Sequence, residues 1–131
     1  MGAKLDPYLS FDGDARQALE FYQAVFGGEL SLNTFGQYGQ SGDGADKIMH
    51  GSLNGDQTLM ASDTPPGMPY NPGSNVSMCL SGDAEDELRG YWEKLIDGGT
   101  VQVPLEKQMW GDIFGSCQDK FGIYWMVNIA G

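Results

Sequence analysis

Residues 13–28 read GDARQALEFYQAVFGG, and residues 82–99 read GDAEDELRGYWEKLIDGG. Both stretches open on Gly-Asp-Ala, close on Gly-Gly and carry aromatic residues between, so one structural unit is written twice in a short chain. Asp14 and Asp83 stand 69 positions apart and the two Gly-Gly pairs 71, which predicts two extra residues within the second helix. In the first copy Ala18, Leu19, Tyr22, Val25 and Phe26 recur at helical spacing; in the second, Leu88, Tyr91, Trp92 and Leu95 do. Each copy therefore predicts an amphipathic helix. Asp14 and Asp83 are placed to accept hydrogen bonds from first-turn amides, and the terminal glycines can take the left-handed conformation that ends a helix.

The flanking segments extend the repeat. PYLSF precedes the first helix and NVSMCLS the second. Both alternate: Leu9 and Phe11, or Val76, Met78 and Leu80, share one face, and Tyr8 and Ser10, or Asn75, Ser77 and Cys79, share the other. Three strand-like runs follow each helix, ELSLNTF, KIMHGSLN and QTLMASD in the first half and TVQVPLE, DIFGSCQD and IYWMVNI in the second. Asn54-Gly55-Asp56 and Lys120-Phe121-Gly122 predict hairpin turns. The order strand, helix, strand, strand, strand thus occurs twice, over residues 5–63 and 75–131, joined by a Pro-rich connector at 64–74 within a single domain. FGQYGQSGDGAD, residues 35–46, predicts a mobile glycine-rich loop at the mouth of the first module. A helix over one sheet face leaves the other face for the second module or for a ligand.

Composition narrows the function classes. A chain of 131 residues suits one compact domain that buries roughly two thirds of its unfolded surface. Eighteen acidic against seven basic residues give a net charge of -11, which repels nucleic-acid phosphates and anionic membrane surfaces, so neither is expected as a partner. The acidity itself has two readings, solubility or long-range steering of a cationic ligand. The first residues, MGAKLDPYL, hold no apolar run long enough for a signal peptide or membrane span, so a cytoplasmic protein with reduced Cys79 and Cys117 is expected. Neither cysteine lies in a CxxC, which leaves structural zinc and thioredoxin chemistry without support.

PYLSFDGDARQALEFYQAVFGGEL, DKIMHGSL, LMASD, MWGDIFG and DKFGIYWMVN, in that order and on a duplicated βαβββ plan, resemble the vicinal oxygen chelate superfamily of glyoxalases, extradiol dioxygenases and bleomycin or fosfomycin resistance proteins. Within it they resemble the PhnB-like branch, often labelled with a 3-demethylubiquinone methyltransferase domain name. The resemblance implies an α+β fold, two βαβββ modules forming a curved mixed sheet with a concave pocket, and a homodimer. In that frame strand periodicity turns Tyr8, Ser10, Asn75, Ser77, Cys79, Tyr124, Met126 and Asn128 toward the pocket. His50 alternates with Ile48 and Ser52, with Met49 and Leu53 opposite, and LMASD offers Met60 and Ser62.

Superfamily members that do metal chemistry hold a divalent ion through His, Gln or Glu on the concave strands, because such cations need converging nitrogen and oxygen donors. The corresponding positions fall near Pro7 or Tyr8, at Asn75, at Met60 or Ser62, and at Met126. None is a carboxylate or an imidazole, and the Met126 thioether, a poor ligand for zinc, magnesium or manganese, stands where a carboxylate is typical. With one histidine, no multi-histidine site can form within a subunit. No metal and no cofactor are therefore expected; the alternative is an unusual site using His50, Asp63 and a partner subunit. His50 has two readings, a hydrogen-bonded structural residue or a pocket-facing general base or ligand-orienting donor, and it is the best catalytic candidate. Cys79 is inert unless a cation lowers its pKa, and no basic residue lies near it in sequence. Trp110 is either one wall of an apolar pocket or a subunit contact.

The run GQYGQSGDG precedes a strand, not a helix, so it does not fit the glycine turn of a nucleotide-cofactor methyltransferase. The function expected is metal-free binding of a small aromatic or cationic molecule, of the bleomycin-resistance type. Two alternatives stand beside it: a metal-dependent glyoxalase- or dioxygenase-like enzyme with substituted ligands, and a dimeric scaffold or regulatory subunit with no open pocket.

Overall fold

A computed structural model describes residues 2–65 and 67–131. The chain divides into two compact units, one ending at Pro72 and one beginning at Gly73. Unit 1 runs β1 (Tyr8–Phe11), α1 (Ala15–Phe26), β2 (Glu29–Thr34), β3 (Ile48–Asn54) and β4 (Thr58–Asp63). Unit 2 runs β5 (Met78–Gly82), α2 (Glu85–Leu95), β6 (Thr100–Lys107), β7 (Ile113–Gln118) and β8 (Tyr124–Ile129). The sheets have the orders β1-β4-β3-β2 and β5-β8-β7-β6. In each, the first strand lies parallel to the last and the remaining pairs are antiparallel. The repeat glimpsed in two helices is therefore a repeat of whole βαβββ modules.

Each helix covers one face of its own sheet. Ala15, Ala18, Leu19, Tyr22 and Val25 of α1 are buried, with Phe11, Ile48, Leu53, Leu59 and Ala61 completing the core of unit 1. Leu88, Trp92 and Leu95 of α2 do the same in unit 2, with Leu80, Cys117, Trp125, Val127 and Ile129. The closing Gly-Gly pairs divide their work alike in both units, Gly28 adding a positive φ of its own, 103°, that Gly99 lacks. The first glycine turns left-handed, at φ 74° for Gly27 and 77° for Gly98. The second lets a hairpin pass close by: a Cβ on Gly28 would lie 2.7 Å from the Asn54 carbonyl oxygen, and one on Gly99 would collide with the Gln118 carbonyl. A further matched pair lies beneath the helices, where Gly51 leaves room for Leu19 and Gly115 for Trp92.

Three expectations about the elements are corrected. Neither Asp14 nor Asp83 caps its helix through its side chain. Asp63, which pairs with Phe11 at the end of β1, brings its carboxylate to the α1 N-terminus instead, accepting from Gly13 N at 2.9 Å and Ala15 N at 3.0 Å. The two extra residues of the second copy are not within α2, which has 11 residues against 12 in α1; Ile96 and Asp97 follow the helix and delay the glycine pair. Val76 does not pack under α2 but is 73% exposed, because pairing with β8 begins only at Met78.

Candidate functional site

The face of sheet 1 turned away from α1 is built in rows across β1, β4, β3 and β2. Strand pairing aligns Tyr8, Met60, Ser52 and Ser31 in one row. The next row holds Ser10, Ser62, His50 and Asn33, with Ser10 paired to Ser62 and Asn33 to His50. The expected phase of β3 needs one correction. Register jumps from Asn33↔His50 to Thr34↔Ile48, leaving Met49 as the extra residue of a bulge. Ile48 is thereby turned to the helix side and wholly buried, away from His50 and Ser52.

Tyr8 reaches across β4 to His50. Its hydroxyl lies 3.0 Å from His50 Nδ1, and the rings tilt at 34° with centroids 5.6 Å apart. A phenol can donate to Nδ1 or accept from it, and either choice restrains the imidazole and leaves Nε2 as the ring nitrogen outside that bond. Nε2 has no partner among the described residues.

The corresponding face of sheet 2 carries Cys79 and Ser81 on β5, Tyr124, Met126 and Asn128 on β8, and Phe114, Ser116 and Gln118 on β7. Cys79, Met126 and Ser116 form one row; Ser81, Asn128 and Phe114 form the next. Trp125 and Val127 are buried on the other side. Trp110, 62% exposed, tilts at 59° to Phe114 with centroids 6.1 Å apart, so it stands over this face. Asn128 donates to Asp112 Oδ2 at 3.0 Å, and Gly131 N donates to Asp112 Oδ1 at 3.0 Å. The Asn128 bond first and the Gly131 bond second hold the Asp112 carboxyl below the usual carboxylate range. Asn75 and Ser77 do not join this face; both are exposed in the segment before β5.

Ser31, Asn33, Phe114, Ser116 and Gln118 are face residues that sequence reasoning did not single out. Their signal was present in the alternation of ELSLNT and IFGSCQ, where Gly115 and Cys117 mark the buried phase.

Asp63 cannot join His50 in a metal site of this unit. It is 2% exposed on the helix side of the sheet, and its oxygens accept from Gly13 N, Ala15 N and, at 2.8 Å, Ile48 N. Among the described residues no three His, Cys, Asp or Glu side chains converge as a metal cluster. Cys79 is exposed, yet partial desolvation of its sulfur raises the thiol pKa. Cys117 is buried, and burial together with the charge of Asp119 pushes its thiol up to about 11. Neither environment favours a thiolate. Asp119 serves the β7–β8 hairpin, accepting from Phe121 N, Ile123 N and Trp125 Nε1 at 2.9, 3.1 and 2.8 Å. No helix among the described residues is long and apolar enough to cross a membrane.

The net charge of -11 is not placed on these rows. Glu29 shares the phase of Ser31 and Asn33 on β2 and so stands at the edge of this face, in the row beyond Ser31. Glu29 is four residues along β2 from Asn33, and Asp6 precedes β1 and pairs with Lys4 at 3.5 Å.

The sequence profile of the 3-demethylubiquinone-9 3-methyltransferase family matches residues 3–128. Protein PA1353 from Pseudomonas aeruginosa is 38% identical, with a TM-score of 0.88 over 98% of each chain. The PhnB protein from Bacillus cereus is 24% identical, with a TM-score of 0.76 over 98% of this chain and 100% of that one. A glyoxalase/bleomycin resistance protein/dioxygenase family enzyme from Burkholderia phytofirmans PsJN shares the fold, at 14% identity and a TM-score of 0.65 over 97% of this chain and 100% of that one.

Proposed function

This chain belongs to the 3-demethylubiquinone-9 3-methyltransferase family, and from that membership and the fold it shares with a glyoxalase/bleomycin resistance protein/dioxygenase family enzyme we propose that it is a metal-free small-molecule binding protein of the vicinal oxygen chelate superfamily. One observation carries the reading: the open sheet faces offer phenol, hydroxyl, amide, thioether and aromatic groups, and the single imidazole is tied to Tyr8. Such a set recognises an organic molecule by packing and hydrogen bonds and is poorly suited to a hard divalent ion. On the open face of unit 2, Phe114, Trp110, Tyr124 and Met126 suit an aromatic ring. On that of unit 1, Tyr8, His50 and the neighbouring hydroxyls suit polar substituents.

The family label speaks of methyl transfer, but the glycine-rich run of unit 1 opens with a short 3-10 turn at Gly36–Tyr38 and leads into β3. It does not open a helix in a doubly wound parallel sheet, the geometry that cradles a nucleotide cofactor. We further propose a homodimer, supported by the edge position of β6 and its exposed Val101 and Val103.

The test is a binding screen of small aromatic molecules against protein purified without chelator and, in parallel, against protein stripped of metal. Saturable binding that is unchanged by stripping is expected. A stoichiometric divalent metal whose removal abolishes binding would replace this reading with a metal-dependent one, and absence of binding to any molecule would favour a scaffold role.

A further inference from the structure

Two adjacent rows on the open face of unit 1 hold eight side chains: Tyr8, Met60, Ser52 and Ser31 in one, Ser10, Ser62, His50 and Asn33 in the other. No carboxylate, ammonium or guanidinium stands among them, although the chain carries 18 acidic and 7 basic residues. Seven of the eight, all but Met60, carry a strong hydrogen-bonding group. Glu29 shares the phase of Ser31 and Asn33 on β2 and stands on this face in the row beyond Ser31, two rows from His50, while Asp6, before β1, pairs with Lys4.

An ion brought onto the His50 row itself loses hydration and gains no opposite charge within that row, whereas an uncharged amide or hydroxyl exchanges its water for fixed partners. The Tyr8–His50 bond of 3.0 Å orients the imidazole in advance, so Nε2 can bond a ligand at little further cost in side-chain freedom. We infer that the His50 row is a recognition strip for the uncharged, oxygen-bearing substituent of a small aromatic ligand, a carboxamide, hydroxyl or ketone, and that it discriminates against cations despite the strongly acidic chain. This rests on the proposed small-molecule binding and adds the chemical class that one face selects. Net charge acts at long range and is screened within about 8 Å at physiological salt, while selectivity at contact follows the groups in the strip.

Three probes that share a ring and differ in their head group test the inference: benzamide, benzylamine and benzoate, titrated at pH 8 into the full-length protein labelled with nitrogen-15. The single histidine gives one set of imidazole signals, which report on the strip directly, while backbone amides of unit 2 report on the open face of that unit's own sheet. Benzamide is expected to shift the His50 signals saturably, and benzylamine to bind the strip at least about tenfold more weakly. Tyr8→Phe, which keeps the ring and frees His50 Nδ1, should weaken benzamide about 3- to 10-fold with the fold intact by amide spectrum. Benzylamine or benzoate binding the strip as tightly as benzamide overturns the inference and leaves small-molecule binding standing. So does benzamide binding that ignores Tyr8→Phe, or probe binding confined to unit 2. If none of the three binds either face, the binding reading itself falls and the inference with it.

Discussion

Replacing Asp63 by alanine removes the acceptor for three backbone amides at once. Gly13 N and Ala15 N both reach Oδ1, at 2.9 and 3.0 Å, and Ile48 N reaches Oδ2 at 2.8 Å. The Ala15 and Ile48 amides are buried, and each left without a partner costs about 1–3 kcal/mol; the part-buried Gly13 amide recovers water and costs less. The variant also loses a negative charge at the N-terminus of α1, where it opposes the helix dipole. The sum is about 3–5 kcal/mol, a large share of the 5–15 kcal/mol typical of a domain. Asp63→Asn is informative beside it: its carbonyl can keep the Gly13 and Ala15 bonds, but its NH2 faces the Ile48 N–H, so a loss of about 1–3 kcal/mol is expected. Urea unfolding followed by far-ultraviolet circular dichroism, with m-values compared, measures both. Asp63→Ala within about 0.5 kcal/mol of the parent would refute the assignment of Asp63 as the cap that ties α1 to β3 and β4.

In the folded protein one thiol, Cys79, should react with a disulfide reagent at pH 8, and Cys117 only after unfolding; two native equivalents would contradict the buried position of Cys117. The Cys117 pKa is raised from 9.0 to about 11, so its contribution to stability is complete below pH 9 and is lost as pH rises toward 11. Urea midpoints should accordingly fall across that window, less steeply in Cys117→Ala. Asp112 is shifted the other way: its contribution is present above the ordinary carboxylate pKa of 3.8 and disappears as pH falls below it. Asp112→Asn should therefore flatten the acid limb of a stability–pH curve, and an unchanged limb would show that the Asn128 and Gly131 bonds carry no pH dependence. Gly115→Ala would bring a Cβ to 2.9 Å from the backbone Leu105 Cα and from Trp92 Cη2. It should cost about 1–3 kcal/mol by thermal or urea unfolding, and a neutral result would mean α2 is not held at this glycine.

The module plan was legible because period decides it. Leu19, Tyr22 and Val25, or Leu88, Trp92 and Leu95, mark one helical stripe each, and Trp125 and Val127 mark the inner side of β8; all are buried as that pattern requires. The errors fall where local pattern has no access to tertiary partners. Asp14 has the right chemistry and place for a cap, yet Asp63, from nearly fifty residues away, holds the amides. The phase of β3 was misread because one bulged residue, Met49, moves Ile48 to the opposite face, a shift that depends on pairing with β2. Asn75 and Ser77 alternate correctly with Cys79, but a strand exists only where a neighbour pairs, and pairing starts at Met78. Likewise Tyr8 and His50 were separately visible as candidates, while their contact across 42 residues of chain arises from the strand order β1-β4-β3.

The most direct measurement of metal-free binding is a titration of chelator-treated protein with benzamide, read at the His50 imidazole and the amides of Tyr8, Ser62 and Asn33. Saturable shifts at these positions, unaltered when zinc or magnesium is restored, are predicted. Shifts that appear only after a divalent ion is added would contradict the account and make the ion part of the site.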